Sequence, residues 1–193
     1  MTPFTTLTGP AIGLDRANID TDQIIPARFL RKPRSAGYQN FLFHDLRREE
    51  ADFPLNGATA AILVADSNFG CGSSREGAVY ALVDAGIRCV IAPSFGDIFA
   101  GNAGKNGLLT IVLPAPLAAA LRAQLPAEMT IDLPGQHLHF PDGTVHSFDM
   151  DPFRKRCLIE GLDDIGLTLA HAAEIAAFQE RDRTARPWAA PSP

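Results

Sequence analysis

The sequence predicts an α/β fold built on a mixed sheet, and three observations carry that prediction. Apolar runs at 58–65, 88–93 and 108–113 alternate with segments of helical character. From about residue 128 to 150 the pattern changes to short strands of alternating polarity, "MTIDL", "HLHF" and "TVHSFDM", parted by the turn stretches "PGQ" and "PDG". Beyond residue 150 the character is helical again. At 193 residues the chain is long enough to bury a sizeable core. It shows no internal repeat and needs no boundary near 128, so residues 1–193 are expected to form one domain.

Taken in order, residues 1–57 read as irregular. Within them "RKPRSAGYQ" (31–39), broken by Pro33 and Gly37, reads as a mobile surface loop, and "FLFHDLRREE" as a short helical piece. "ATAAILVA" (58–65) is a continuous apolar run, as in a strand covered on both faces. Ser74 to Ala85 suits a helix, with Gly86 placed to end it. "RCVIAP" (88–93) is a second buried strand, residues 94–103 a short helix, and "LLTIVL" (108–113) a third strand. Pro116 opens a helix through Leu125, since proline is tolerated in a first turn. Asp151-Pro152 starts another, with Asp151 as N-cap. A last helix is expected from about Thr168 to Asp182, followed by a frayed tail over about 184–193.

Composition narrows the function classes. Hydrophobic residues make up 46% and charged residues 20%, ordinary for a globular protein, and the formal net charge is −5. No broad basic surface is implied, so nucleic acid is not an expected partner. The N-terminal stretch lacks a basic region followed by a long apolar run, and no run reaches transmembrane length. No membrane partner is expected, and the expected location is cytoplasmic. Cys71, Cys89 and Cys157 are odd in number and far apart, a poor pattern for a disulfide framework, a zinc site or an iron–sulfur site. Cys89, inside "IRCVIAP", reads as a buried structural thiol. No metal ligands are assigned to this chain.

The densest concentration of chemistry is "NFGCGSSREGAVYAL" (68–82). A P-loop would need lysine after its second glycine, and none stands at that offset. A dinucleotide fingerprint would need glycine at the sixth position counted from Gly70, where Arg75 stands. A hydrolase nucleophile elbow, G-x-S-x-G, fails by one position, because the fifth residue from Gly72 is Glu76. What remains is a strand, a glycine turn, two hydroxyls and a helix start. Glycines let a ligand approach the backbone, and a helix start presents unpaired N–H groups and a positive dipole end. With Ser73, Ser74 and Arg75 the place suits a carboxylate or phosphate. The same residues also suit plain capping, with Ser73 or Ser74 as N-cap and Arg75 solvated. A serine alkoxide favoured by helix-end N–H groups and an arginine can take a proton from a carbon beside a carboxylate. That chemistry needs a carbanion stabilised elsewhere, typically by a metal.

Together "NIDTDQIIPARFL", "NFGCGSSRE", "APSFGDIF", "KNGLL" and "DPFRKRCLIEGLDDIGLTL" resemble the family of small subunits of 3-isopropylmalate dehydratase, from about residue 12 to 180. That family is similar to the swivelling C-terminal domain of aconitase. The resemblance implies a swivelling β/β/α three-layer domain with a mixed sheet. It implies a hydro-lyase of leucine biosynthesis that isomerises 2-isopropylmalate to 3-isopropylmalate through isopropylmaleate. It also implies a large subunit as partner, in a heterodimer or heterotetramer. That subunit would carry a [4Fe-4S] cluster on its own cysteines; no cofactor would be bound by this chain, and the substrate would be a small dicarboxylate.

By similarity, Ser73 is the catalytic base, and Ser74 and Arg75 hold a substrate carboxylate. Asp20, Thr21 and Asp22 would line the same cleft, although Asp and Thr there also suit capping and bracing of a turn. Arg28, with Phe29 and Leu30, lies where the family's recognition loop lies, about 28–40, and its charge suits either a carboxylate or solvent. Lys105 is a further candidate for substrate contact. The chain departs from the common continuation of this motif at Gly77-Ala78-Val79-Tyr80, where His-Ala-Pro-Trp is usual. That departure leaves open a related hydro-lyase acting on a citramalate, dimethylmalate or homoaconitate type of acid, or a non-catalytic anion-binding paralogue.

Overall fold

The computed structural model describes residues 1–189. Seven strands form one sheet in the order β4-β3-β2-β1-β5-β6-β7. In chain order the elements are β1 (Thr6–Leu14), α1 (Thr21–Ile24), α2 (His44–Glu49), β2 (Ile62–Ala65), α3 (Glu76–Asp84), β3 (Cys89–Ala92), α4 (Asp97–Lys105), β4 (Leu109–Val112), α5 (Ala115–Arg122), β5 (Ala127–Asp132), β6 (His137–His139), β7 (Val145–Ser147), α6 (Pro152–Glu160), α7 (Asp164–Leu169) and α8 (Ala172–Ala185). β1 to β4 are parallel neighbours, and β5, β6 and β7 add to β1 as an antiparallel wing.

The apolar runs are strands covered on both faces. Every residue of β2 and β3 is buried, and alternate side chains enter two different cores. Leu63, Ala65, Val90 and Ala92, with Ile12 and Leu14 of β1, pack against α1 to α4. Ile62, Val64, Cys89 and Ile91 pack instead with Ile131, Leu138, Phe140 and Phe148 of the antiparallel wing, and with Leu121 of α5. The sheet curls so that its wing covers the second face of its parallel half. The expected β/β/α layering is met in that way: antiparallel wing, parallel half, then α1 to α4.

Several boundaries differ from the sequence reading. The irregular reading of residues 1–57 misses β1, a nine-residue strand at the centre of the sheet. Gly9 and Pro10 interrupt its pattern. The Pro10 carbonyl accepts from the Ala61 amide, so its missing N–H falls on the β2 side, ahead of the first register pair Ala11↔Ile62. β2 begins at Ile62 rather than 58. Through the surface stretch 31–39 run 3-10 turns at Arg34–Ala36 and Tyr38–Phe41, and Phe29 stacks on Phe41 with centroids 4.3 Å apart. The helix expected from about 168 to 182 is two helices, α7 and α8. α7 starts earlier because Asp163 caps it, accepting from the Gly166 amide at 2.7 Å. In the expected tail, α8 continues to Ala185 and a 3-10 turn follows at Pro187–Ala189; residues 190–193 lie outside those described. Asp151 caps α6 as its spacing predicts, accepting from the Arg154 amide at 2.9 Å.

Cys89 is fully buried, and burial pushes its thiol well above the usual range, so almost no thiolate forms. Cys157 is also buried, whereas Cys71 is partly exposed. Iodoacetamide treatment of the folded, isolated chain is therefore expected to modify Cys71 and spare Cys89 and Cys157, as read by peptide mass spectrometry.

Candidate active site

The carboxyl ends of β1, β2 and β3 meet on one edge of the sheet, the place where open α/β sheets bind ligands. The segments leaving them are laced together through main-chain atoms. The Gly70 amide donates to the Ile19 carbonyl at 2.7 Å, and the Thr21 amide to the Cys71 carbonyl at 3.0 Å. The Phe69 amide donates to the Ser94 carbonyl at 3.0 Å, and the Gly96 amide returns a bond to the Phe69 carbonyl at 2.9 Å. Isolated bridges Asp20↔Cys71 and Phe69↔Phe95 carry the parallel pairing past the named strands. Beneath them Phe69 is fully buried, its ring 5.3 Å from that of Phe99.

The backbone here takes unusual conformations. Asn18, Asn68, Gly70 and Gly72 all have positive φ, of 55°, 60°, 73° and 89°. For asparagine that region is uncommon, and such strain persists where surrounding contacts over-determine it. Asn68 makes such contacts: its side-chain amide donates to Asn18 Oδ1 at 2.8 Å, and its main-chain amide to Ser94 Oγ at 2.8 Å. Gly70 is required twice over, by its φ and because a Cβ there would overlap the Phe99 ring.

Below the strand ends lies Arg122 of α5, a residue the sequence reading missed because no local pattern marks it. Its side chain is 11% exposed. It donates to the Ala65 carbonyl at 2.9 Å and pairs with Asp66 at 3.3 Å and Asp15 at 3.2 Å, pinning the ends of β1 and β2 side by side.

The lacing sets how α3 begins. The expected helix from Ser74 starts two residues later, at Glu76, with Arg75 as an extended N-cap residue (φ −135°, ψ 96°) and no side-chain cap bond. The plain-capping use of Ser73 or Ser74 is therefore overturned. The Thr21 hydroxyl, on a residue only 3% exposed, donates to the Ser73 carbonyl at 3.0 Å and ties the chain to α1 there. Both serines are exposed, and Arg75 is mostly buried beside them.

The other candidates divide. Asp20 caps α1, accepting from the Gln23 amide at 2.7 Å while Gln23 Oε1 accepts from the Asp20 amide at 3.0 Å, a complete capping box. Asp22 pairs with Arg75 and accepts from the Ala27 amide at 3.0 Å. The Arg75 guanidinium holds the Asp22 carboxyl below its usual value of 3.8. The structure thus brings Asp22, Thr21, Ser73, Ser74 and Arg75 to one place. Arg28 is exposed and paired with Asp45, whose carboxyl it holds well below the usual range, and it lies 4.7 Å above the Phe29 ring. Lys105 pairs with Asp164 of α7 at 2.8 Å. Its neighbour Asn106 donates to Glu76 Oε1 at 2.8 Å, tying the end of α4 to the first turn of α3.

The residues do not fit a resident metal cluster. Among the described residues no three His, Cys, Asp or Glu side chains gather into a cation site. Cys89 and Cys157 are buried on β3 and α6, apart from Cys71 in the laced loop.

Comparison with known proteins agrees with this architecture. The family model of the aconitase C-terminal domain matches residues 1–116, which defines the class of the fold. A second model, for the C-terminal domain of the 3-isopropylmalate dehydratase small subunit, matches residues 164–192. The chain is 49% identical to the 3-isopropylmalate dehydratase small subunit of Rhodospirillum centenum, over 98% of this chain and 99% of that protein. It is 50% identical to that of Paramagnetospirillum magneticum, over 97% and 100%. A crystal structure of 3-isopropylmalate dehydratase (leuD) from Methanocaldococcus jannaschii superposes with a TM-score of 0.69 at 26% identity, covering 92% of this chain and 99% of that one. The chain belongs to the family of 3-isopropylmalate dehydratase small subunits.

Two outcomes follow from the geometry. Thr21→Val keeps the volume and removes the hydroxyl from the Ser73 carbonyl, so urea denaturation is expected to show a loss of about 1–2 kcal/mol. The Asp22–Arg75 pair acts with the opposite sign to a raised histidine. Because the folded carboxyl is depressed, its stabilisation is present above 3.8 and is lost as pH falls below that value through the lowered one. The melting temperature of Asp22→Asn should accordingly approach that of the wild type as pH is lowered through this window and lie below it at neutral pH.

Proposed function

We propose that this chain supplies the proton-transfer and carboxylate-binding half of a hydro-lyase site. The reaction is the isomerisation of 2-isopropylmalate to 3-isopropylmalate through isopropylmaleate in leucine biosynthesis. The other half of the site comes in trans from a large subunit, in a heterodimer or heterotetramer. The observation that carries this reading is the uncapped start of α3, with Ser73 and Ser74 exposed immediately before a largely buried Arg75. Identity of about 49% over nearly the full length to named small subunits supports this choice of substrate.

In this reading Ser73 Oγ takes the proton from the carbon beside a substrate carboxylate and returns it on hydration. The positive end of α3 and the Arg75 guanidinium favour the alkoxide over the hydroxyl. Arg75 and Ser74 bind the carboxylate. A guanidinium carries five N–H donors, so engagement by Asp22 leaves others for a second carboxylate. Asp22 fixes the guanidinium, Thr21 fixes the Ser73 backbone, and Asp20 fixes the turn that presents both. Arg28, held by Asp45 at the start of the recognition loop, is a further candidate for the substrate carboxylate. A [4Fe-4S] cluster on the large subunit, when bound, supplies Lewis-acid polarisation of the substrate hydroxyl. The whole chain, 1–193, is taken to act as one swivelling unit.

The test is Ser73→Ala, purified with its large subunit, reconstituted anaerobically and assayed for isopropylmaleate hydration. Assembly and melting temperature should be retained while kcat falls by about 10²–10⁴-fold, the usual range for a lost general base. Arg75→Lys should raise KM, because an ammonium cannot replace a planar fork on a carboxylate. A near-normal kcat in Ser73→Ala would sink the assignment of the base.

A further inference from the structure

Gly77 lies two residues beyond Arg75, in the first turn of α3. Its φ is not in the left-handed region, so the backbone does not call for glycine here. Space does. A Cβ on Gly77 would sit 2.5 Å from Leu30 Cδ2 and 3.5 Å from Tyr38 Cε2. The missing side chain is a notch, and a methyl of Leu30 fills it.

The notch is the first of three fastenings along one face of the helix. At Tyr80, one turn on, the Arg34 guanidinium lies 4.2 Å from the ring centroid, and the buried Tyr38 ring packs at 6.4 Å. At Asp84, a further turn on, Arg34 Nε donates to both carboxylate oxygens at 3.0 and 3.2 Å. The Tyr38 hydroxyl donates to the Lys32 carbonyl at 3.0 Å and closes the segment on itself. Its near end is tied as well: the Ala27 amide donates to Asp22, the partner of Arg75. Residues 27–41 therefore form a wall whose start is bonded to the carboxylate seat and whose length is bolted to the helix that carries it. None of the bolts belongs to the seat itself.

We propose that Gly77, Tyr80 and Asp84 are positioning residues. They set how closely the 27–41 wall stands against the Ser73–Arg75 helix start, and through that distance they set substrate affinity. The inference rests on the reading that Ser73 and Arg75 meet the substrate. Leu30 Cδ2 is the far end of a flexible side chain, so a methyl at position 77 expels Leu30 from the notch without breaking the helix, and the wall loses its fastening nearest the helix start. Alanine also favours the helix itself over glycine. Affinity and stability should therefore separate.

The experiment compares steady-state kinetics and melting temperature of the assembled two-subunit enzyme for wild type, Gly77→Ala, Leu30→Ala, the double variant, and Arg34→Ala. Gly77→Ala is expected to raise KM severalfold with kcat at the wild-type value and no loss of melting temperature. Arg34→Ala, which frees the wall at its far end, should raise KM in the same direction. In the double variant the shortened side chain at position 30 no longer fills the notch, so the effects of Gly77→Ala and Leu30→Ala should be strongly non-additive in KM. An unchanged KM in Gly77→Ala overturns the proposal, and so do additive effects. A fall in kcat at constant KM overturns it too, since it would place the effect of Gly77 on the helix start itself. Failure of the functional reading is separately visible: Ser73→Ala and Arg75→Lys would then be without effect, whereas here they stay impaired and only the Gly77 series is silent.

Discussion

The site depends on one constraint: the loops that leave β1 and β2 satisfy each other's main-chain groups. Ile19, Thr21, Gly70 and Cys71 exchange backbone bonds across the gap where the two parallel strands have ended. A buried backbone polar group left unpaired is costly, so this lacing is what allows a loop with Asn18, Asn68, Gly70 and Gly72 in left-handed conformations to sit on a packed aromatic floor. It also frees the side chains. Thr21 takes up the carbonyls of Cys71 and Ser73, and neither serine caps α3. A helix start without a capping side chain forgoes about 1 kcal/mol relative to a capped one. That cost leaves two hydroxyls and a positive helix end facing outward, beside a guanidinium already oriented by Asp22.

The proposed carboxylate seat is half of what a dehydration needs. A base and an anion clamp can remove the proton and hold the acid, but the departing hydroxyl needs an electrophile. The described residues of this chain offer no side-chain cluster for one. The proposed division between two subunits rests on membership of the family of small subunits. The charges support the same reading. Arg28 and Lys105, the other cations singled out from the sequence, are matched by Asp45 and Asp164. Arg75, by contrast, shares its carboxylate with the Ala27 amide and stands next to open hydroxyls.

Much of this was legible in the sequence, for identifiable reasons. β2 and β3 are short and wholly apolar, so their burial on both faces could be read from composition. Asp151-Pro152 announces α6 through local capping chemistry. The glycine-serine-arginine stretch could be separated from a P-loop and an elbow by counting. The failures share a cause as well. β1 holds Gly9 and Pro10 and forms because β2 and β5 flank it, a fact about neighbours far along the chain. Arg122 acts on residues more than fifty positions away. Ser74 reads as a helix start because serine is a good cap, and the competing claim on that backbone comes from Thr21 of α1. The segment 31–39 reads as a surface loop because Pro33 and Gly37 punctuate it, and the contacts of Arg34 and Tyr38 with α3, beside that of Leu30, join residues far apart in the chain.

The most direct test of a half-site completed in trans is a structure of the assembled two-subunit enzyme with substrate bound. The expected result places Ser73 Oγ about 3–3.5 Å from the carbon that loses its proton, the separation of a near-attack geometry. Arg75 should lie within about 3 Å of a substrate carboxylate while keeping Asp22. A substrate bound away from the α3 start, or one with Ser73 turned from the reacting carbon, would contradict it.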